Sequence, residues 1–275
     1  MSAGDAVFLG IIQGLTEFLP VSSSAHLVFA QSLLPGFHQP GLLFDIVLHL
    51  GTLLAVIFFL RKDIYPLLKA LVPESWHGTP PADAGAMSVR RRTILNIALA
   101  TAVTGIIGLS FKNEVEKLFI SPAFSAFMLV ITGVLLFTAS ATRKAGRGEG
   151  SITITDSIVI GIAQGLAVMP GLSRSGATIA FGIFRGLEAA TAARFSFLLS
   201  IPAILGALVL EARHISLLSS SDINAYIVGF MAAAITGFFS LKLLFLLIKK
   251  WSLRIFAYYC WLAGFSVLIA IALFH

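Results

Sequence analysis

Charge is scarce in this 275-residue chain: Asp, Glu, Lys and Arg make up 12% of it, about half the share of a typical soluble domain. With 57% hydrophobic residues and a mean hydropathy of +0.95, a water-soluble fold is excluded. There is one cysteine, Cys260, so no intramolecular disulfide and no thiolate metal site is expected. No Lys or Arg precedes Arg61. A cleaved leader with a basic n-region is therefore not expected, and the first hydrophobic segment should stay in the mature protein. The short alternating strands of an outer-membrane barrel are missing too, because the apolar runs here are continuous.

What is present is a set of long apolar runs. Leu42–Leu60, Ile94–Phe111 and Phe119–Ser140 reach the roughly 20 residues that a helix needs to cross a hydrocarbon core about 30 Å thick. Six spans are expected, at about 42–60, 93–111, 119–140, 195–212, 223–247 and 254–274. Two further segments, 6–34 and 157–186, are apolar at both ends but interrupted, one by Pro20 and a serine run and the other by Pro170-Gly171 and a Ser-Arg-Ser run. Each piece is too short to cross, so both read as re-entrant helical hairpins. The fold class expected is an all-α polytopic membrane protein with six transmembrane helices and two re-entrant hairpins. A net charge of +6 does not indicate nucleic-acid binding, because the basic residues stand at the ends of apolar runs. Under this topology fourteen Lys and Arg fall on one face and three, Lys112, Lys117 and Arg213, on the other. The positive-inside bias makes the rich face cytoplasmic and puts both termini outside. Arg174 lies within the second hairpin and Lys242 near the inner end of a span, where its stem can snorkel.

The broken segments match each other without a gap at an offset of 151 residues: Gly10-Ile-Ile-Gln-Gly14-Leu15 aligns with Gly161-Ile-Ala-Gln-Gly165-Leu166, Ser22-Ser23-Ser24 with Ser173-Arg174-Ser175, Asp5 with Asp156, Phe44 with Phe195, and Leu48 with Leu199. Three crossings between the copies invert the second relative to the first, the architecture in which broken helices meet near the midplane to form a site. The chain thus reads as a single membrane domain, 1–275, of two interlocked halves, about 1–140 and 152–275. A basic, glycine-rich cytoplasmic loop, 141–151, joins them, and residues 73–92 are expected to form a second solvated connection.

Ionisable groups at membrane depth are costly and point to function. The first hairpin carries Gln13, Glu17, Ser22, Ser23, Ser24 and His26, with Gln13 and Glu17 at i, i+4 and Ser23 and His26 at i, i+3. A carboxylate, a hydroxyl and an imidazole therefore face one break. The second carries Ser173, Arg174, Ser175, Gly176 and Thr178 at the start of a half-helix, where free N–H groups, the helix dipole and a guanidinium favour an anion such as phosphate. Plainer readings stand beside these. Ser22 and Ser24 could simply cap, Arg174 could serve to neutralise Glu17, Glu17 could carry protons in a transporter, and Asp45 with His49, at i, i+4 in the next span, could extend the site or be a structural pair. Asp5 and Asp156 read as helix N-caps.

Gln13-Gly-Leu-Thr-Glu17-Phe-Leu-Pro20-Val-Ser-Ser23-Ser-Ala-His26 together with Pro170-Gly-Leu-Ser173-Arg174-Ser175-Gly176-Ala-Thr178 resembles the two signatures of the bacterial undecaprenyl-diphosphate phosphatase family, the bacitracin-resistance proteins. The resemblance covers essentially the whole chain. It implies an inner-membrane enzyme that removes the terminal phosphate of undecaprenyl diphosphate, recycling the lipid carrier for peptidoglycan synthesis. It also implies a divalent cation, Mg²⁺ or Ca²⁺, and an active site opening to the periplasm. Carried over residue by residue, Glu17 is the second acidic position of the family's paired element, Ser23 the candidate nucleophile, His26 its partner and Arg174 the phosphate clamp. Gln13 takes the amide alternative at the first acidic position, so Glu17 is expected to hold the metal together with substrate oxygens or waters. Gln13, Ser22, Ser24, Ser173, Ser175, Gly176 and Thr178 are expected around the substrate. A transporter or flippase of the carrier is the rival class, since broken helices and inverted repeats are shared with transporters. A homodimer is left open.

Overall fold

The computed structural model describes residues 1–34, 42–72, 84–118, 121–142, 146–211, 223–250 and 252–274. Twelve α-helices are present among them: α1 (Ala3–Phe18), α2 (Ser23–Leu33), α3 (Leu42–Phe59), α4 (Arg61–Leu71), α5 (Ala84–Ser110), α6 (Lys112–Leu118), α7 (Pro122–Ala141), α8 (Ile154–Leu166), α9 (Arg174–Phe184), α10 (Ala189–Glu211), α11 (Ile223–Lys250) and α12 (Arg254–Phe274). Five of these, α5, α7, α10, α11 and α12, are long and apolar enough to cross a membrane; α3 with its bent continuation makes a sixth. The protein is an all-α polytopic membrane protein, and these six coincide with the spans expected from hydropathy.

The helices too short to cross are those at the sequence breaks. α1 has 16 residues and packs on α2, which has 11; α8 has 13 and packs on α9, also with 11. α1 lies against α11, a helix of the other half, and α8 lies against α5 in the matching way. What permits this is a pair of glycines in each half. A Cβ added at Gly10 would meet the carbonyl oxygen of Gly229 at 2.4 Å, and one at Gly14 the Thr236 hydroxyl at 1.9 Å. At the repeat-equivalent positions, Gly161 would meet the Ala100 carbonyl at 2.8 Å and Gly165 the Ile107 side chain at 2.7 Å. Small residues four apart bring backbones close where lipid offers no hydrophobic drive for helices to associate. The repeat also shows in the core. Leu9 and Ile160, Phe44 and Phe195, and Leu48 and Leu199 are all fully buried pairs at the 151-residue offset.

Three local features differ from the sequence reading. Residues 61–71, to which the sequence reading assigned no element, form a helix turned 83° from α3; its Ile64 and Leu67 pack on the core while Arg61 and Lys62 face out. Residues 84–92, expected in a solvated connection, are the first turns of α5; the rest of that connection, 73–83, lies outside the described residues, as do Arg213 and positions 143–145. The helix N-caps are Ser2 and Thr153, not Asp5 and Asp156. Each aspartate sits three residues on and completes a capping box, accepting the cap's backbone N–H.

The connection between halves is also more fixed than its composition suggests. Arg147 donates to the Ser151 and Arg185 carbonyls and, at 2.9 Å, to the fully buried Asp156, which Arg185 also meets at 2.9 Å. Its backbone joins the base of the second hairpin through Gly186 and Glu188. Glycine-rich composition hid this, because it reports nothing about a guanidinium finding a buried carboxylate nine residues away.

Candidate active site

The breaks in both hairpins are built the same way. Ser22 caps α2 by accepting the Ala25 N–H, and Ser173 caps α9 by accepting the Gly176 N–H. Ser22 does so at φ +66, the one positive-φ residue other than glycine among those described, a conformation that costs energy and tends to occur at functional sites. Gly171 takes φ +93 and has the Ser125 carbonyl 2.1 Å from where a Cβ would stand, so no larger residue fits there. Ser24 ties the breaks together, its hydroxyl accepting the Gly171 N–H at 3.2 Å and lying 3.1 Å from the Ser22 hydroxyl.

Glu17, nearly buried on α1, is the hub. One carboxylate oxygen, Oε1, is ion-paired with Arg174 of the second hairpin. The other, Oε2, accepts from the Ser23 hydroxyl at 2.6 Å and from the Gln13 amide at 2.9 Å, and lies 3.5 Å from Nε2 of His49. Carboxylate, hydroxyl and guanidinium are thus brought to one point, and His49, which sequence left between site and structure, reaches it too. Its Nδ1 bonds the Asp45 carbonyl at 2.7 Å.

The Ser23–His26 pair suggested by i, i+3 spacing does not form. Ser23 donates its hydrogen bond to Glu17, while His26 is bonded at 2.8 Å to the Ser22 carbonyl and at 2.7 Å to the hydroxyl of Tyr259 on α12. Tyr259 had no sequence signal, since it lies 233 residues away in an unremarkable aromatic stretch. Thr178 is likewise not turned toward a ligand: it is fully buried and its hydroxyl bonds the Arg174 carbonyl and Ser196. Ser173 and Ser175 are buried and bond each other at 3.2 Å. The expected site residues left partly exposed are Ser23, Ser24, His26 and Arg174, with His49 partly exposed beside them. Buried Gln13, Glu17, Ser22 and Ser173 therefore support an accessible rim. A separate cavity of about 960 Å³ beside Ile183, Glu188 and Lys249 contains no motif side chain.

Among the described residues no three His, Cys, Asp or Glu side chains converge as a metal cage. Gln13, however, is fully buried with its Oε1 lacking any partner while its amide nitrogen serves Glu17. An unpaired amide oxygen beside a carboxylate is the hard-oxygen chemistry that Mg²⁺ or Ca²⁺ prefers, and Mg²⁺ commonly needs only one or two protein oxygens besides substrate phosphates. Gln13 and Glu17 are the oxygen-bearing side chains of this site that such an ion would use.

An all-α membrane fold whose two interrupted helix pairs converge on a buried carboxylate, with a hydroxyl and a guanidinium at its two oxygens, defines an intramembrane polar site of the kind that handles an anionic lipid headgroup. The chain belongs to the bacitracin resistance protein BacA family, whose model matches residues 6–266. It is similar over nearly its full length to proteins named undecaprenyl-diphosphatase: 43% identical over 264 residues to that of Syntrophotalea carbinolica, covering 96% of this chain and 97% of the relative. It is 41% identical over 274 residues to that of Methanobrevibacter smithii, with 95% of each chain covered. For the Desulfatibacillum aliphaticivorans protein the identity is 42% over 271 residues, covering 97% and 98%.

Proposed function

We propose that this chain hydrolyses undecaprenyl diphosphate to undecaprenyl phosphate and inorganic phosphate, returning the lipid carrier to peptidoglycan synthesis and conferring bacitracin resistance. The observation that carries the reading is the meeting of Arg174 and Ser23 at the two oxygens of Glu17. A phosphate clamp and a nucleophile candidate from different hairpins then face the same few ångströms. A carrier protein needs the clamp but has no use for an activated hydroxyl, so the flippase alternative is not favoured.

In this reading the terminal phosphate draws Arg174 away from Glu17, because a guanidinium binds phosphate oxygens in a bidentate fashion. Glu17 is then free to take the Ser23 proton along the 2.6 Å hydrogen bond. Ser23 Oγ bonds to the terminal phosphorus, the bridging P–O bond breaks, and the lipid monophosphate leaves with the bridging oxygen. Water, giving a proton to His26, bonds to the phosphorus of the phosphoserine; the Oγ–P bond breaks, Ser23 Oγ takes back the proton held by Glu17, and inorganic phosphate leaves. Arg174 and the N–H groups of α9 stabilise the equatorial oxygens, where phosphoryl transfer needs it most. Glu17, through the Oε1 that Arg174 gives up, and the Gln13 Oε1 would hold a Mg²⁺ or Ca²⁺ ion, which supplies charge neutralisation to the diphosphate. The Lys and Arg bias supports an orientation in the inner membrane with both termini and the site mouth on the periplasmic side. The first hairpin would then enter from that side and the second from the cytoplasm.

The test is phosphate release from a short-chain prenyl diphosphate by detergent-purified protein, with and without Mg²⁺. Release by wild type that collapses in Arg174→Ala and His26→Ala supports the enzyme. No release under any ion, with lipid movement in vesicles, would overturn it.

A further inference from the structure

His26 is held on both ring nitrogens. Nδ1 stands 2.8 Å from the Ser22 carbonyl oxygen, which can only accept, so Nδ1 carries the proton of the neutral ring and the lone pair is on Nε2. Nε2 faces the Tyr259 hydroxyl at 2.7 Å, and the two rings stack with centroids 5.6 Å apart and planes 11° from parallel. Hydrogen bond and stack together leave the imidazole little freedom to rotate about either side-chain torsion. Tyr259 is 44% exposed, so burial does not account for its place. The following residue, Cys260, points its sulfur at the Pro20 carbonyl, 3.6 Å away. The last helix therefore touches the first hairpin's break through two consecutive residues, although it belongs to the other half of the chain.

The geometry points to Tyr259 as a positioning residue for hydrolysis: its hydroxyl anchors the one basic nitrogen of His26, and its ring sets the plane of the imidazole. This rests on the reading of His26 as the group that takes a proton from water. Any proton His26 accepts must arrive at Nε2, because Nδ1 is committed to Ser22. The Tyr259 hydroxyl therefore sets where that nitrogen points, and it must give up its bond to Nε2 when water donates there. Partners of this kind, one shell away from the chemistry, typically change activity by about 10- to 100-fold.

Tyr259→Phe keeps the stack and removes the hydroxyl; Tyr259→Leu removes both. Two measurements are made on detergent-purified protein of unchanged thermal stability. One is kcat and KM with a short-chain prenyl diphosphate. The other is the ¹⁵N spectrum of histidine-labelled protein, with the His26 signals assigned by their loss in His26→Gln. The expected result is a kcat lowered about tenfold in Tyr259→Phe and further in Tyr259→Leu, with KM within about twofold of wild type. The Nε2 resonance of His26 should move in Tyr259→Phe as its lone pair loses the donor. An unchanged kcat, a raised KM with kcat intact, or an unmoved Nε2 resonance in an active protein overturns the inference and leaves the phosphatase reading standing. A wild-type protein that releases no phosphate overturns both, and the two failures are thereby told apart.

Discussion

Ser23 and Arg174 occupy the same position in the two hairpins, the first residue of the second helix, and each bonds a different oxygen of the same carboxylate, Glu17. The inverted repeat has placed two chemistries at equivalent sites and turned both toward one group. Glu17 and Ser23 come from one half and Arg174 from the other. At the 151-residue offset Glu17 corresponds to Val168 and His26 to Ala177, so the second copy has kept the clamp and not the acid–base groups.

This arrangement predicts unequal costs for breaking the ion pair. The Glu17 side chain is 3% exposed and that of Arg174 is 23%. Arg174→Ala strands the more deeply buried charge and should destabilise by about 3 kcal/mol or more, while Glu17→Gln strands the better-hydrated one and should cost less. Both should be inactive. Thermal unfolding in detergent measures the difference, and equal losses would contradict the burial argument.

If Ser23 is the nucleophile, Ser23→Ala should lower kcat by at least about a thousandfold, whereas Ser24→Ala, which loses its bonds to the Gly171 N–H and the Ser22 hydroxyl, should lower it several-fold. His26→Ala given prenyl diphosphate labelled in its terminal phosphate should accumulate label on Ser23. Phosphopeptide mapping after acid quench reads this directly. A fully active Ser23→Ala, or label on no serine, removes the covalent route.

The glycine contacts set the close approach of α1 to α11. Gly14→Ala would push a methyl into the Thr236 hydroxyl and the Ala233 and Gly237 backbone, so a loss at or above about 3 kcal/mol is expected, the upper end for overpacking. Gly165→Ala would meet the Ile107 Cβ at 2.7 Å, a looser contact than the 1.9 Å at Gly14, and should cost less. Gly206→Ala in α10, with nothing within 4 Å, should be neutral or stabilise by up to about 1 kcal/mol. Melting temperatures of the three variants form the ranking, and a Gly14→Ala protein as stable as Gly206→Ala would refute it.

Asp5 and Asp156 are repeat partners with opposite surroundings. Asp5 is partly exposed and bonds Ser2; Asp156 is fully buried and meets Thr153, Arg147 and Arg185. Asp5→Asn should change stability by less than about 1 kcal/mol, and Asp156→Asn by several times that, with faster amide exchange at 146–153. Similar effects from the two changes would show that the Arg147 contacts hold nothing.

The unpaired Gln13 Oε1 predicts a change in metal dependence. Gln13→Ala should need about tenfold more Mg²⁺ for half-maximal activity, the scale for losing a group at a metal site, and added chelator should abolish activity in both proteins. An unaltered Mg²⁺ titration would take Gln13 out of the metal site.

Hydropathy alone located all six spans and both interruptions, because crossing a hydrocarbon core imposes a length on any helix that does so. The motifs pointed to Glu17, Ser23, His26 and Arg174, of which the structure brings Glu17, Ser23 and Arg174 together, and the 151-residue register paired Phe44 with Phe195 and Leu48 with Leu199, all buried in the core. Sequence spacing failed where a side chain had more than one partner within reach. Ser23 and His26 share a helical face, yet the hydroxyl turns to Glu17, because a carboxylate is the stronger acceptor. Thr178 stands inside the second signature, yet it faces Ser196. The helix at 61–71 was missed because its basic residues drown its apolar stripe.

The sequence by itself determined the class of fold, the repeat and the kinds of group available for chemistry, since these follow from how lipid treats each residue along the chain. Only the tertiary structure decided who meets whom: Arg174 with Glu17, Tyr259 with His26, Arg147 with Asp156. Those contacts join residues that are distant in the chain or share no periodic pattern, and a hydrogen bond depends on a few tenths of an ångström that no linear spacing encodes.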